Sequence, residues 1–344
     1  MKYTLFGRSG LRVSELCLGT MTFGKEWTWG ADKAESQRMF DVFANAGGNF
    51  VDTANRYTEG TSESWVGECI ASDRDHWVVS TKYSLQDRLG DPNFSGNHRK
   101  NMMRSVEGSL RRLNTDVIDI LWVHAWDNLT PVDEVLRGMD DLVRQGKVHY
   151  LGISDTPAWV VSRANTMAEL KSWTSFAGLQ VEYSLLQRTP ERDLLPMADA
   201  FDMSITAWAP LAGGALTGKY LGDSDEPKRL APASKRLDAR ATAIAQKVVD
   251  IAAILNVLPT QVAINWVRQK HPRMIPIIGA RHADQLSQSL GALDFHLGDE
   301  HMTELNTLSA IDPGFPHDFL ASDAVKQVLF GGTFDQINMV RGKG

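Results

Sequence analysis

Cysteine is almost absent: Cys17 and Cys69 are the only two in 344 residues. Two thiols cannot build a disulfide framework or a zinc cluster, which points to a reducing, cytoplasmic setting and to chemistry without a metal. Charge of one sign is never concentrated either, since no run of five like charges occurs and the net charge is −6 at a sequence pI of about 5.9. The basic footprint that nucleic acid or anionic lipid needs is missing, and neither partner is expected. Long apolar runs are lacking as well. The longest uncharged stretch, Ile251 to Val267, carries Asn256, Pro259, Thr260, Gln261 and Asn265 and reads as helix, turn, helix, not as a membrane span. Near the amino terminus Lys2, Arg8 and Arg12 interrupt the apolar core that a signal peptide needs, so export is not expected. His76, His98, His149, His271, His282, His296, His301 and His317 show no ligand spacing that adds carboxylates on one helical face, and they read as surface or cap residues.

What is present is an ordinary globular composition, 43% hydrophobic and 23% charged, with apolar mass for one sizeable core. Short apolar runs recur at Glu15–Leu18, Asn49–Asp52, Trp77–Thr81, Val117–His124, Val148–Ile153, Leu179–Tyr183, Ser204–Trp208 and Met274–Ile278. Most do not alternate with polar residues, the mark of strands buried on both faces in a parallel sheet. Between the fourth and fifth runs Val132, Val135, Leu136, Met139, Leu142 and Val143 repeat at helical spacing, with Thr130 placed as cap, Pro131 in the first turn and Gly146 past the end. Met103, Val106, Leu110 and Leu113 form a second apolar face between the third and fourth runs. Strands alternating with helices predict an α/β chain folded as one (β/α)8 TIM barrel domain over residues 1–344. Tyr3–Leu5 and Leu11–Val13, joined across Gly7–Gly10, predict a β-hairpin that plugs the barrel bottom. The polar stretch Gly222–Arg240 is expected to be a mobile lid, and the aromatic C-terminal tail from Asp312 to Leu320 either to close a pocket wall or to pack outside the barrel.

Chemistry in such a barrel sits at the carboxyl ends of the strands. Asp52, Lys82 and His124 each end an apolar run, and Tyr57 follows Asp52 by five residues. Those four types are what carbonyl reduction needs. Hydride attack on a carbonyl carbon builds charge on oxygen, so a proton donor must lie within reach of it. Tyrosine, with a pKa near 10, is a weak acid unless a lysine ammonium stabilises its phenolate, and an aspartate can hold that lysine charged. Histidine can then orient the carbonyl oxygen. Trp27, Trp29, Trp122 and Trp126 lie near the ends of the first and fourth strands, where they could line a flat apolar pocket; core packing accounts equally for Trp122.

Several stretches in order, Phe50–Ala54 with Tyr57, Ser80–Lys82, Val123–His124, Gly152–Ser154, Gln180–Ser184, Ala209–Gly214 and Ile275–Arg281, resemble the aldo-keto reductase family. The resemblance covers nearly the whole chain. It implies an NADPH-dependent enzyme that reduces an aldehyde or ketone, with Asp52, Tyr57, Lys82 and His124 at the catalytic positions. It further implies that Ser154, Asp155 and Gln180 hold the nicotinamide carboxamide, with Asp155 where the family usually has Asn. Trp208 would stack on the nicotinamide. Pro210, Leu211 and Gly213 would lie over the pyrophosphate, and Gly279, Arg281, Gln285 and Ser289 would take the adenosine end, with Ser289 where Asn is common. Gly213–Lys219 also mimics a P-loop, but Tyr220 stands where a magnesium-binding Ser or Thr belongs. A guanidinium at a helix start suits a phosphate, so Arg281 favours NADPH over NADH. A Schiff-base lyase using Lys82 and a non-catalytic nicotinamide-sensing subunit are the rival expectations. Substrate identity and oligomeric state are not fixed by these residues.

Overall fold

The apolar runs close on themselves. In a computed structural model that describes residues 1–222, 228–231 and 233–338, eight parallel strands form a closed barrel in the order β10-β3-β4-β5-β6-β7-β8-β9. These are β3 (Cys17–Gly19), β4 (Phe50–Asp52), β5 (Val78–Tyr83), β6 (Ile118–Val123), β7 (Val148–Ser154), β8 (Phe176–Glu182), β9 (Ser204–Trp208) and β10 (Met274–Ile278). A two-stranded antiparallel hairpin, β1 (Tyr3–Leu5) with β2 (Arg12–Ser14), precedes them. The expected strands are all present, with ends moved by a few residues; Lys82 lies one residue inside β5.

Side chains along a strand alternate between faces, and the alternation assigns each residue here. Val51, Val79, Leu121 and Ile153 point outward into the layer between strands and helices. Phe50, Val78, Ile120, Trp122, Ile275 and Ile277 point inward, where Phe6 and Val13 from the hairpin segment join them. The hairpin therefore fills the closed end, as expected. Trp122 belongs to this inner core: it is fully buried and meets Phe6 edge to face at 6.1 Å between ring centroids. Glycine makes room for it, because a Cβ at Gly152 would lie 2.2 Å from its ring and one at Gly178 would lie 2.8 Å away. The pocket role weighed for Trp122 is thereby corrected.

The helices α1 (Lys33–Asn45), α2 (Thr61–Ile70), α3 (Arg99–Leu113), α4 (Val132–Arg144), α5 (Ala158–Lys171), α6 (Leu194–Ala200), α7 (Ala239–Leu255), α8 (Pro259–Lys270) and α9 (Ala283–Leu290) surround the strands, and α10 (Asp299–Leu308), α11 (His317–Ala321) and α12 (Asp323–Phe330) follow. In α4 the large buried apolar side chains are Val132, Val135, Leu136, Met139 and Leu142, as the spacing predicts, while Val143 of the expected face is only partly buried. Its cap differs: Pro131 is the N-cap residue, and the Thr130 hydroxyl donates to Asp127 instead. In α3 Met102 takes the buried place expected of Met103. The uncharged stretch is helix, turn, helix: α7 and α8 meet at 102°, and no single described helix is long and apolar enough to cross a membrane.

The expected lid falls partly on residues 223–227 and 232, which lie outside those described. Its described part is tied to the rest of the fold at three points. Leu230 N donates to the Tyr220 hydroxyl at 2.9 Å, Arg236 pairs with Glu182, and Asp238 caps α7 through Ala241 N. In the tail Phe315, Phe319 and Leu320 are exposed.

Candidate active site

The inward face that packs apolar side chains at the closed end presents polar ones at the mouth. Asp52, Ser80 and Lys82 are in phase with Phe50 and Val78, and His124 continues the phase of Ile120 and Trp122. Strand register does the rest: Asp52 pairs with Ser80, and Lys82 with Trp122. The Lys82 ammonium, itself buried, donates to Asp52 Oδ2 at 2.5 Å, to the Thr53 carbonyl at 2.8 Å and to the Tyr57 hydroxyl at 3.1 Å. Asp52 Oδ1 accepts from Ser80 Oγ at 2.7 Å and, across the barrel, from Gln180 Nε2 at 3.2 Å. The expected Asp52, Lys82 and Tyr57 are thus brought together. His124 completes the group edge-on to Tyr57, with 5.9 Å between ring centroids and Nδ1 buried without a hydrogen-bond partner among the described residues.

Burial and charge set the protonation states. Burial works against the Lys82 ammonium, but the Asp52 carboxylate and the Tyr57 hydroxyl outweigh it and hold its pKa above the usual lysine value. Burial pushes the Tyr57 phenol above 10; Lys82 pulls it down and Asp52 pushes it up, and the balance is upward. The expectation that lysine supplies a readily ionised phenol needs this correction, because loss of solvent outweighs the ammonium. Tyr57 is held as a neutral O–H donor. Burial, seconded by Lys82, keeps His124 well below its ordinary value, so it is neutral at pH 7. A lysine held protonated has no free lone pair, which argues against the Schiff-base reading.

Trp27 and Trp29, carried by the segment after β3, make a wall beside Tyr57. Their rings lie 5.8 Å apart, and Trp27 meets Tyr57 edge to face at 6.3 Å. Trp126 is partly buried and joins the next loop through its N–H to the Asp155 carbonyl at 3.4 Å.

Opposite stand the residues expected at a cofactor. Ser154 and Gln180 are neighbours in register on β7 and β8 and both are buried. Asp155 follows at the rim and accepts from Trp208 Nε1 at 3.3 Å. Pro210 and Leu211 lead from β9 into a short 3-10 turn, Ala212–Thr217, in which Gly213 and Gly214 have φ of 71° and 94°, values that favour glycine. After β10, Gly279 and Arg281 precede α9, and Arg281 N donates to Gln285 Oε1 at 3.2 Å. Ser289 turns its hydroxyl back onto the Gln285 carbonyl at 3.0 Å. One part of the anion argument is corrected: the N–H of Ala283, at the start of α9, already donates to the Glu35 carboxylate at 2.6 Å. The Arg281 guanidinium has no ion-pair partner among the described residues.

Sequence reasoning missed Ser80, the third donor to Asp52; its signal was a serine two residues before Lys82 in a strand, hence on the same face. It also missed Arg229, which lies over the Trp29 ring at 4.6 Å. Arg229 comes from the long connection after β9, far from Trp29 in sequence, and no pattern in its neighbourhood announces that contact.

Comparison with known proteins agrees with this geometry. The sequence matches the aldo/keto reductase family over residues 15–310. It is 39% identical over 334 residues to a norsolorinic acid reductase from Aspergillus flavus, covering 92% of this chain and 83% of that one. It is 38% identical over 335 residues to an aryl-alcohol dehydrogenase [NADP(+)] from Phanerodontia chrysosporium, covering 90% and 86%. A hydrogen-bonded Asp-Lys-Tyr group at the mouth of a closed eight-stranded barrel, and a match across most of its length, make this chain a member of the aldo/keto reductase family, an enzyme of carbonyl oxidoreduction.

Proposed function

We propose that the enzyme reduces an aryl aldehyde or aryl ketone to the alcohol with NADPH, and that Tyr57 is the proton donor. The observation that carries this is the Tyr57 hydroxyl, a neutral acid 3.1 Å from Lys82 Nζ and flanked by Trp27. A flat aromatic carbonyl compound suits the Trp27 and Trp29 wall, and the names of the two relatives, a reductase and an aryl-alcohol dehydrogenase, point the same way.

The residues present fit the cofactor. Gly213 and Gly214, at positive φ, give the loop after β9 a turn that can offer backbone N–H groups to a pyrophosphate, and Arg281, without an ion-pair partner among the described residues, offers a cation for a 2′-phosphate. Ser154, Gln180, Trp208, Pro210, Leu211, Gly279, Gln285 and Ser289 would complete the binding wall. NADPH, when bound there, would supply the hydride. The chain supplies the remainder: Tyr57 gives its proton to the carbonyl oxygen, Lys82 stabilises the charge left on the phenolate, Asp52 keeps Lys82 in place, and neutral His124 orients the substrate oxygen.

Loss of NADPH absorbance over a panel of aldehydes, ketones and sugars tests the reading. Aromatic aldehydes and ketones are expected to be turned over, and sugars not. Silence toward every aromatic carbonyl compound while cofactor binds would overturn it in favour of a cofactor-sensing protein. A borohydride-trapped adduct on Lys82 would overturn it in favour of a lyase.

A further inference from the structure

Asp52, Glu182 and Asp155 are carboxylates at the mouth. Two are neutralised, Asp52 by Lys82 and Glu182 by Arg236. The third, Asp155, has no ion-pair partner among the described residues; its bonds are from the Trp208 indole at 3.3 Å and from Ser154. Its backbone is held at φ 41°, with the carbonyl accepting from Trp126 N, so the side chain is fixed at the rim. Asp155 is exposed to solvent at the rim, and the protein around it is enough to push its carboxyl pKa up by loss of water. A ligand ring seated against Asp155 would remove that water. A carboxylate so covered is destabilised unless the ligand brings positive charge.

We infer that Asp155 is the charge partner of the oxidised nicotinamide ring, binding NADP+ in preference to NADPH and thereby favouring hydride donation. The inference rests on the nicotinamide reading of this site. An amide at the position could bond a carboxamide equally well but could not tell a cationic ring from a neutral one. The carboxylate can, and it is in place before charge develops, so no reorganisation is needed as the reaction proceeds.

The test is calorimetric titration of the wild type, Asp155→Asn and Trp208→Phe with NADP+ and with NADPH. Asparagine keeps the shape and can still accept from Trp208, so only charge is lost. The ratio of the two dissociation constants should shift by at least about tenfold toward NADPH in Asp155→Asn, the lower end of what one nearby charge does to an equilibrium. In Trp208→Phe both affinities should fall while the ratio stays within about twofold, since the carboxylate remains. Because the ratio compares two ligands on one preparation, partly inactive protein does not distort it. Equal changes for both cofactors in Asp155→Asn would overturn the inference, as would an equal shift of the ratio in Trp208→Phe. A wild type that binds neither cofactor would overturn the nicotinamide reading, and this inference with it.

Discussion

The two walls of the mouth are finished to different degrees. On the Tyr57 side the two buried charges already have their partners: Lys82 spends its three donors on Asp52, Thr53 and Tyr57, and Asp52 accepts from Lys82, Ser80 and Gln180. On the Arg281 side two charges, Arg281 and Asp155, have no ion-pair partner among the described residues. The first wall is organised by the fold, whereas the second is organised for a ligand. A preorganised catalytic group needs no reorganisation at the moment of reaction, and an uncompensated binding wall keeps its electrostatic energy for the molecule it meets.

The sharpest way to break the finished wall is Lys82→Met. It strands Asp52 as a buried carboxylate, so turnover should be lost and stability should fall by about 3–5 kcal/mol, the cost of removing one partner of a buried pair; denaturant unfolding beside an activity assay reads both. Lys82→Arg should fail too, because a planar fork cannot make the three contacts of a compact ammonium, and a fully active Arg variant would contradict the geometry. Next is Tyr57→Phe, expected to lower carbonyl reduction by about 10²- to 10⁴-fold, the range for a general acid, with cofactor affinity nearly unchanged. Its pH corollary follows from the raised pKa: the phenol is protonated at every pH below about 10, so the proton-donor limb of the wild-type rate should fall only on the alkaline side of that value. A fall centred near neutral pH would assign the acid to another group. The smallest effect belongs to the unfinished wall. Arg281→Ala should weaken NADPH by about 1.5–3 kcal/mol, roughly ten- to a hundredfold, and leave NADH almost untouched. Equal weakening of both would place Arg281 in the fold and not at the phosphate.

Legibility in the sequence follows the same division. The barrel and its hairpin could be read because buried parallel strands leave continuous apolar runs, and Asp52, Lys82 and His124 could be read because each interrupts such a run at its carboxyl end. The inward phase of Phe50, Val78 and Ile120 even carries the information that would have added Ser80 and placed Trp122 in the core. Other features are not local. That Glu35 caps the start of α9, that Gln180 crosses the barrel to Asp52, and that Arg229 covers Trp29 depend on residues far apart in sequence meeting after closure. The sign of the Tyr57 shift was missed for a related reason: the lysine is visible in the sequence, but the solvent lost around the phenol is a property of the whole mouth.

The bond from Gln180 to Asp52 links strands that are not neighbours in the barrel. A slip of one residue in β4, β5 or β8 would turn Asp52, Lys82 or Gln180 to the outer face and dissolve the network that holds Tyr57. Turnover is therefore a report on closure of the barrel. Circularly permuted chains, or fragments divided between the fifth and sixth strands, could be scored for correct assembly by enzymatic rate alone, since a ring that closes out of phase would keep its helices and lose its chemistry.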